Sequence, residues 1–197
     1  MVKYMRAEFY KVLHRKYTYG FLVVILLLEA MLVAGWAYTN ANGNDVNFSS
    51  GASILCLMLG VGLYCTVLTG DMVFSDQYKF NTLKNEVSYG LPRARIYLGK
   101  LLVACITALV LCAIILCAYV AMCWVVLPHD TGAAETMSLI YYCILTALPL
   151  WLGSQALVLM LYFLLKSSTV ASFLFIGVIL ALPQVVKLLI TLVGPVF

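Results

Sequence analysis

Five long runs of apolar residues constrain what this chain can fold into more than any other feature. They lie at 20–38, 51–74, 101–127, 139–165 and 169–193, and each is longer than the roughly 18 residues typical of a membrane span. Inside lipid every backbone polar group needs a partner within the protein, which an α-helix provides by itself. We therefore expect an all-α polytopic membrane protein in which 1–197 forms one transmembrane domain with five transmembrane helices.

The composition favours the same fold class. Of the 197 residues, 64% are hydrophobic and 10% are charged, whereas soluble domains are roughly 45–50% apolar and about 25% charged. The seven cysteines lie inside the apolar runs without C-x-x-C spacing, so we interpret them as packing residues rather than metal ligands. The sequence predicts neither a metal site nor binding of nucleic acid.

The first 19 residues differ from the apolar runs. Met5, Phe9 and Val12 recur at helical spacing, and five Lys or Arg residues occupy the remaining turns. This pattern is typical of a basic amphipathic helix that lies in the membrane interface. We therefore expect an interfacial helix over 1–19, ahead of the first span.

Lysine and arginine are distributed unequally between the segments that connect the apolar runs. The segments 1–19 and 75–100 hold five each, and Lys166 brings that side of the membrane to eleven, whereas 39–50 and 128–138 hold none. By the positive-inside rule, the N-terminus is cytoplasmic. The twelfth basic residue, Lys187, follows Pro183 in the last run. That segment is either the kinked outer end of the span or a separate short helix in the outer leaflet.

The longest polar stretch between spans is 75–100. Ser75 can cap a short helix over 76–87, after which Gly90 and Pro92 break the chain and Arg93 leads it back to the membrane. One interpretation is a basic loop anchored to anionic lipid. The other is a docking helix for a cytoplasmic partner.

Two segments together resemble the permeases of ATP-binding-cassette (ABC) type-2 transporters. EFYKVLHRKYTY, before the first span, is similar to the entry helix of that family. FSDQYKFNTLKNEVSYGLPRARIYLGKLL is similar to its coupling loop, with an acidic-aromatic start, a Thr-Leu pair, a Gly-x-x-Arg turn and a Tyr-Leu-x-Lys exit. Two departures are Asn81, where the family usually has Gly, and five predicted spans where the family norm is six.

The resemblance implies a permease subunit of an ABC transporter in a bacterial cell membrane, with peptide, antibiotic or lipid-like cargo. It implies export, including export of antimicrobial peptides, driven by separate cytoplasmic ATPase subunits that carry ATP and Mg²⁺. The partner in the membrane is a second permease copy or a related permease. The residues to which it assigns coupling with the ATPase are Asp76, Tyr78, Lys79, Thr82, Leu83, Glu86 and Arg93.

Two alternative functions remain at this point. One is the substrate-capture subunit of a vitamin-uptake transporter, which needs a polar pocket near the outer face. The other is an intramembrane enzyme. The chain has no G-x-x-x-x-G-K-[ST], G-x-S-x-G or H-E-x-x-H motif, so we expect that it is not an enzyme and that it holds no cofactor itself.

Two polar residues inside the apolar runs are candidates for a translocation path, Glu29 and Gln155. Glu29 lies near the membrane midplane, where a carboxylate that faces lipid costs at least about 2–3 kcal/mol. It is therefore protonated, hydrogen-bonded to a neighbour such as Gln155, or directed toward a wet interior. Both a structural and a functional role are consistent with the sequence.

The charge asymmetry predicts on which side each connecting segment lies. With the native cysteines removed, single cysteines replacing Asn44 and Asn85 are expected to react with impermeant thiol reagents from opposite sides of the membrane. Labelling of the Asn44 position from the cytoplasm would contradict the predicted topology.

Overall fold

A computed structural model describes residues 2–79, 87, 88, 90, 92–165 and 167–193. Within this part of the chain the secondary structure is helical, without strands. The helices are α1 (Val2–Leu13), α2 (Lys16–Ala41), α3 (Phe48–Lys79), α4 (Arg93–Val126), α5 (Ala133–Leu164) and α6 (Ser168–Val193). Helices α2 to α6 are long and apolar enough to cross a membrane. The expected all-α architecture with five spans is thus confirmed.

The five long helices pack as a bundle whose connecting segments lie alternately at its two ends. Helix α3 packs mainly against α5 and α4, α2 packs against α4, and α6 packs against α5 and α3. Helix α1 packs against the N-terminal end of α4. We term that end of the bundle, where α1 lies, the inner end, and the opposite end the outer end.

Hydrogen bonds join the two connecting segments at the outer end. The backbone N–H of Phe48 donates to the carbonyl of Pro128 over 2.9 Å, and the Ser49 hydroxyl donates to the Asp130 carboxylate over 2.6 Å. The first bond satisfies an N–H at the start of α3 that no carbonyl of its own helix can reach. The two outer segments are therefore fixed to each other.

The buried side chains form two clusters, one toward each end. The inner cluster includes the stacked rings of Phe74 and Tyr162, whose centroids are 6.0 Å apart. The outer cluster includes Phe48 and Tyr119, and the Tyr119 hydroxyl donates to the carbonyl of Gly51 over 2.7 Å. Each cluster draws on at least three helices, so both ends of the bundle are packed.

The helix boundaries differ from the sequence-based expectation at the N-terminus. Helix α1 ends at Leu13, and α2 begins at Lys16 rather than near residue 20, because Arg15 adopts an extended conformation with φ −81° and ψ 122°. The Thr18 hydroxyl donates to the carbonyl of Val12 over 3.1 Å. This bond satisfies a carbonyl that the end of α1 would leave unpaired.

Two expectations for other helix ends are corrected or resolved. Ser75 does not start a new helix, because α3 continues through it to Lys79 and no Gly or Pro interrupts that stretch. In the last span, Pro183 lies inside α6, which runs from Ser168 to Val193 as one helix. The segment after Pro183 is therefore a continuation of the span and not a separate short helix.

The glycines of α3 have different surroundings. A Cβ atom on Gly70 would lie 3.0 Å from Cε2 of Tyr162 and 3.4 Å from Cγ1 of Val158, whereas Gly60 and Gly62 have no such neighbour within 4 Å. Close approach of α3 and α5 at Gly70 thus depends on the missing side chain.

We expect Gly70→Val to lower the free energy of unfolding in detergent by about 1–3 kcal/mol, because the added side chain collides with the buried Tyr162 ring. The matched control, Gly60→Val in the same helix, should change it by less than about 0.5 kcal/mol. Equal effects of the two substitutions would contradict the described packing of α3 against α5.

Candidate functional site

A buried ion pair joins α1 to the N-terminal part of α4. The Lys100 ammonium donates to Oε2 of Glu8 over 2.7 Å, and the side chains of Lys100 and Glu8 are 0% and 2% exposed. The other carboxylate oxygen, Oε1, accepts a bond from Lys11 over 2.6 Å. We term the cluster of Tyr4, Glu8, Lys11, Gly99 and Lys100 the N-terminal junction.

Gly99 explains how α1 comes close enough to α4 for this pair to form. A Cβ atom at Gly99 would lie 2.8 Å from Cε1 and 2.9 Å from Cδ1 of Tyr4, so a larger residue would displace the ring. The Lys100 ammonium also lies 5.9 Å from the centroid of the Tyr4 ring. The Tyr4 ring thus fills the space beside Gly99 and lies near the ammonium of Lys100.

The electrostatics of the junction favour the ionised carboxylate. Burial by itself raises the pKa of Glu8, but the charge and hydrogen bond of Lys100, followed by those of Lys11, hold the pKa below its ordinary value of 4.5. Both bonds are short, as expected of charge-assisted hydrogen bonds. Glu8 is therefore negatively charged at neutral pH.

The junction also brings together the two ends of the segment 75–100. Phe74, the residue before this segment, is fully buried, and its ring centroid lies 5.4 Å from the ammonium of Lys100, its last residue. A cation at this distance from an aromatic ring is attracted to it. The segment therefore leaves the bundle and returns to it at a single place, and that place is in contact with α1.

Further contacts fix the return of this segment to the bundle. The Tyr97 hydroxyl donates to the carbonyl of Ala156 in α5 over 3.0 Å, and its ring packs edge-on against Phe163, with centroids 6.0 Å apart. The Tyr-Leu-x-Lys pattern thus has structural roles at its first and last residues: Tyr97 contacts α5, and Lys100 contacts α1.

The structure describes the proposed coupling residues only in part. Asp76, Tyr78 and Lys79 belong to the last turns of α3, but their side chains lie outside the described part of the chain. Thr82, Leu83 and Glu86 lie outside the described residues altogether. Arg93 is exposed at the first position of α4, directly after Pro92.

A shallow groove lies near the inner end between α3 and α6. It has a volume of about 380 Å³, and Asp71 lines it together with the hydroxyl residues Ser168, Thr169 and Ser172. The Arg15 guanidinium reaches the backbone carbonyl of Asp71 over 3.5 Å. Arg15, Asp71 and the first turns of α6 therefore lie at about the same level of the bundle.

The two candidates for a translocation path are not brought together. Gln155 is fully buried, and its Oε1 accepts a bond from the Thr69 hydroxyl over 2.8 Å, while its Nε2 has no partner among the described residues. Glu29 lies on α2, close enough to Tyr119 and Cys123 of α4 to act on both electrostatically, and no described residue bonds to its buried Oε2. The hydrogen bond considered between Glu29 and Gln155 is therefore not formed.

Glu8 is the site residue that sequence reasoning missed. The basic and apolar residues of 1–19 predict an interfacial helix, but that pattern gives no position for Glu8, which is buried beside Val12. One signal was available, because Glu8 is the sole acidic residue in 1–19. Its partner Lys100 was recognised only as the end of a family motif.

A family model described as "ABC-2 family transporter protein" matches residues 4–184. No curated protein and no solved structure matches the chain. The matched range includes the N-terminal junction, the segment 75–100 and most of α6.

Removing one member of the Glu8–Lys100 pair should be much more harmful than removing both. We expect Glu8→Gln to lower the free energy of unfolding by about 3–5 kcal/mol, since it leaves the buried Lys100 ammonium without its counter-charge. The double variant Glu8→Gln, Lys100→Met should recover most of this loss. Lys11→Ala, which removes a half-exposed ammonium, should cost at most about 1 kcal/mol. Additive effects of the two buried substitutions in denaturant titrations would contradict a direct pair.

The lowered pKa of Glu8 predicts a pH dependence with a defined sign. Between the folded and unfolded pKa values the unfolded chain binds more protons, so the stabilisation is fully present above about pH 4.5 and is lost as the pH falls further. The difference in unfolding free energy between wild type and Glu8→Gln should therefore be constant from pH 8 to about pH 5 and should shrink below that. A difference that already disappears at neutral pH would contradict the assignment.

Proposed function

Because the chain belongs to the ABC-2 family of transporter proteins, which form the membrane subunits of ABC transporters, we propose that it is the permease of an exporter. ATP hydrolysis and Mg²⁺ binding then belong to separate ATPase subunits in the cytoplasm, and two permease copies complete the transporter. The N-terminus lies on the cytoplasmic side, in accord with the eleven basic residues of the inner segments. The membrane is a bacterial cell membrane.

The observation that carries the coupling mechanism is the contact between Phe74 and Lys100. A segment whose two ends meet transmits a force on its tip to both adjoining helices at once, instead of bending one of them. The Glu8–Lys100 pair extends the same unit to α1. An ATPase that moves the segment 75–100 therefore moves α1 together with the inner ends of α3 and α4.

The described contacts also support a route from the inner end into the bundle. Phe74 stacks on Tyr162 of α5, and the Tyr162 hydroxyl is hydrogen-bonded to Ser172 of α6 over 2.7 Å. Motion at the segment 75–100 thus reaches α5 and α6 through packed side chains. Such packed helices move as rigid bodies that shift against one another and do not behave as flexible segments.

The proposed cargo is a peptide, an antibiotic or a lipid-like molecule, and antimicrobial peptides belong to this class. Cargo of this kind is partly apolar, so it can cross along helix surfaces that also face lipid. Glu29 and Gln155 are the polar residues that we propose for the translocation path. They lie in different parts of the bundle. Within the part of the chain that the structure describes, the amide Nε2 of Gln155 beside Thr69 and the carboxylate Oε2 of Glu29 on α2 have no hydrogen-bond partner.

Substitutions in the segment 75–100 test the coupling role. In proteoliposomes with the copurified ATPase, the pair Thr82→Asp, Leu83→Asp and the pair Asp76→Lys, Glu86→Lys should each abolish transport while the chain still inserts. The physical reason is that charge of the wrong sign, or charge in place of an apolar contact, opposes docking on the ATPase.

A charge change at the other end of the bundle serves as the control. Asp45→Lys lies in the outer connecting segment and should leave both transport and ATP hydrolysis unchanged. If the variants in 75–100 bind the ATPase and transport like wild type, the segment is only a lipid anchor and the coupling proposal is wrong.

A further inference from the structure

The carboxylate of Glu29 has no counter-charge within the described part of its own chain. Its Oε2 is buried without a hydrogen bond, and the ion pairs found there involve Glu8 and not Glu29. The side chain as a whole is only partly buried, so it also borders the surface of α2. A carboxylate in this position in a membrane is costly unless a polar or cationic group approaches it.

The sequence offers a single basic residue that can approach Glu29 from the middle or outer part of the membrane. Eleven of the 12 Lys and Arg residues lie in the inner segments or at their edges. The remaining one, Lys187, is on α6, is exposed, and forms no ion pair with any described residue. Glu29 is thus an acid and Lys187 a base that form no ion pair within the described part of the chain, and both lie inside spans.

The two charges also lie at similar levels in the bundle. Arg15 bonds to the backbone carbonyl of Asp71, and Ser168 and Ser172 line the same groove as Asp71, so these residues mark roughly one level near the inner end. Glu29 lies 14 residues beyond Arg15, or about 21 Å along a helix, and Lys187 lies 15 to 19 residues beyond Ser172 and Ser168, or about 22–28 Å. The flexible four-carbon stem of lysine spans a difference of a few ångströms.

The helices that carry the two charges are the least covered in the bundle. In α2 and α6 a much smaller share of side chains is buried than in the other three spans, and every residue from 181 to 191 is exposed. Glu29 and Lys187 do not meet within one chain, although both surfaces are available. We infer that a second copy of this chain packs against these surfaces, so that Lys187 of each copy pairs with Glu29 of the other.

This arrangement has a direct consequence for the dimer. A two-fold axis that brings Lys187 of one copy to Glu29 of the other also forms the reciprocal pair, so that one contact surface contains two ion pairs. Both charges that the single chain leaves uncompensated are then neutralised in the membrane. The inference rests on the proposed function only in that the transporter contains two copies of this permease.

Cross-linking between differently tagged copies tests the inference. In a background without native cysteines, one copy carries Glu29→Cys and the other Lys187→Cys, and both are expressed without any ATPase. A short bifunctional thiol cross-linker, whose spacer replaces the reach of the Glu and Lys side chains that a direct disulfide lacks, should yield in membranes a dimer that contains both tags. The matched control replaces Lys187→Cys by Phe173→Cys, an exposed position about 21 Å closer to the inner end of α6, and should give no such dimer.

Other outcomes of the cross-linking overturn the inference. They are the absence of the dimer, an equal yield with the Phe173 control, and, in a chain that carries both Glu29→Cys and Lys187→Cys, a link within that chain instead of between copies. Because no ATPase is present, failure here leaves the coupling role of 75–100 untouched. Conversely, loss of coupling in the variants of 75–100 does not change the expected cross-linking between copies.

Charge exchange distinguishes an ion pair from mere proximity. By resonance energy transfer between labelled copies in liposomes, Glu29→Lys alone and Lys187→Glu alone should each weaken self-association about tenfold or more, which corresponds to about 1.4 kcal/mol. The double variant Glu29→Lys, Lys187→Glu should restore it to nearly the wild-type value. If Glu29 does not pair with Lys187 of the other copy, the double variant will remain as weak as the single ones or neither single change will matter, and the inference fails.

Discussion

The inner end of this protein depends on a single buried ion pair. Transferring the charges of Glu8 and Lys100 from water into the protein costs several kcal/mol per ion. The pair therefore stabilises the fold only because the two charges are in direct contact and each makes further contacts. Glu8 uses both oxygens, one for Lys100 and one for Lys11, and the Lys100 ammonium lies close to the rings of Tyr4 and Phe74. The positions of α1, of the start of α4 and of the end of α3 all follow from this arrangement.

The same pair gives the interfacial helix a mechanical role. A basic amphipathic helix that is held only by lipid slides in the membrane plane, because its contacts are non-directional. Here Gly99 admits the Tyr4 ring and Lys100 holds Glu8, so α1 is attached to the bundle at defined atoms. The two ends of the segment 75–100 lie beside this attachment, and this position is the basis of the proposed coupling to an ATPase.

The sequence predicted the features that depend on hydropathy and failed on those that depend on pairing. The five spans and the all-α class follow from run length, since lipid leaves few alternatives. The buried position of Glu8 was missed, because the pattern of α1 carries no signal for a partner as distant in sequence as Lys100. The prediction that a helix starts after Ser75 was wrong. A good capping residue does not start a new helix when the preceding helix continues through it. Glu29 was recognised from its cost in lipid, but its surroundings beside Tyr119 were not predictable without the packing of α2 on α4.

The most direct test of the account is whether α1 and α4 move together during the ATP cycle. Spin labels at Arg6 and Arg95, both exposed, report this distance in the assembled transporter without nucleotide and with bound ATP. We predict that this distance stays the same in both states, while the distance between the Arg95 positions of the two permease copies changes. A change between Arg6 and Arg95 larger than the about 1–2 Å by which packed helices shift would show that the junction opens, and would contradict the account.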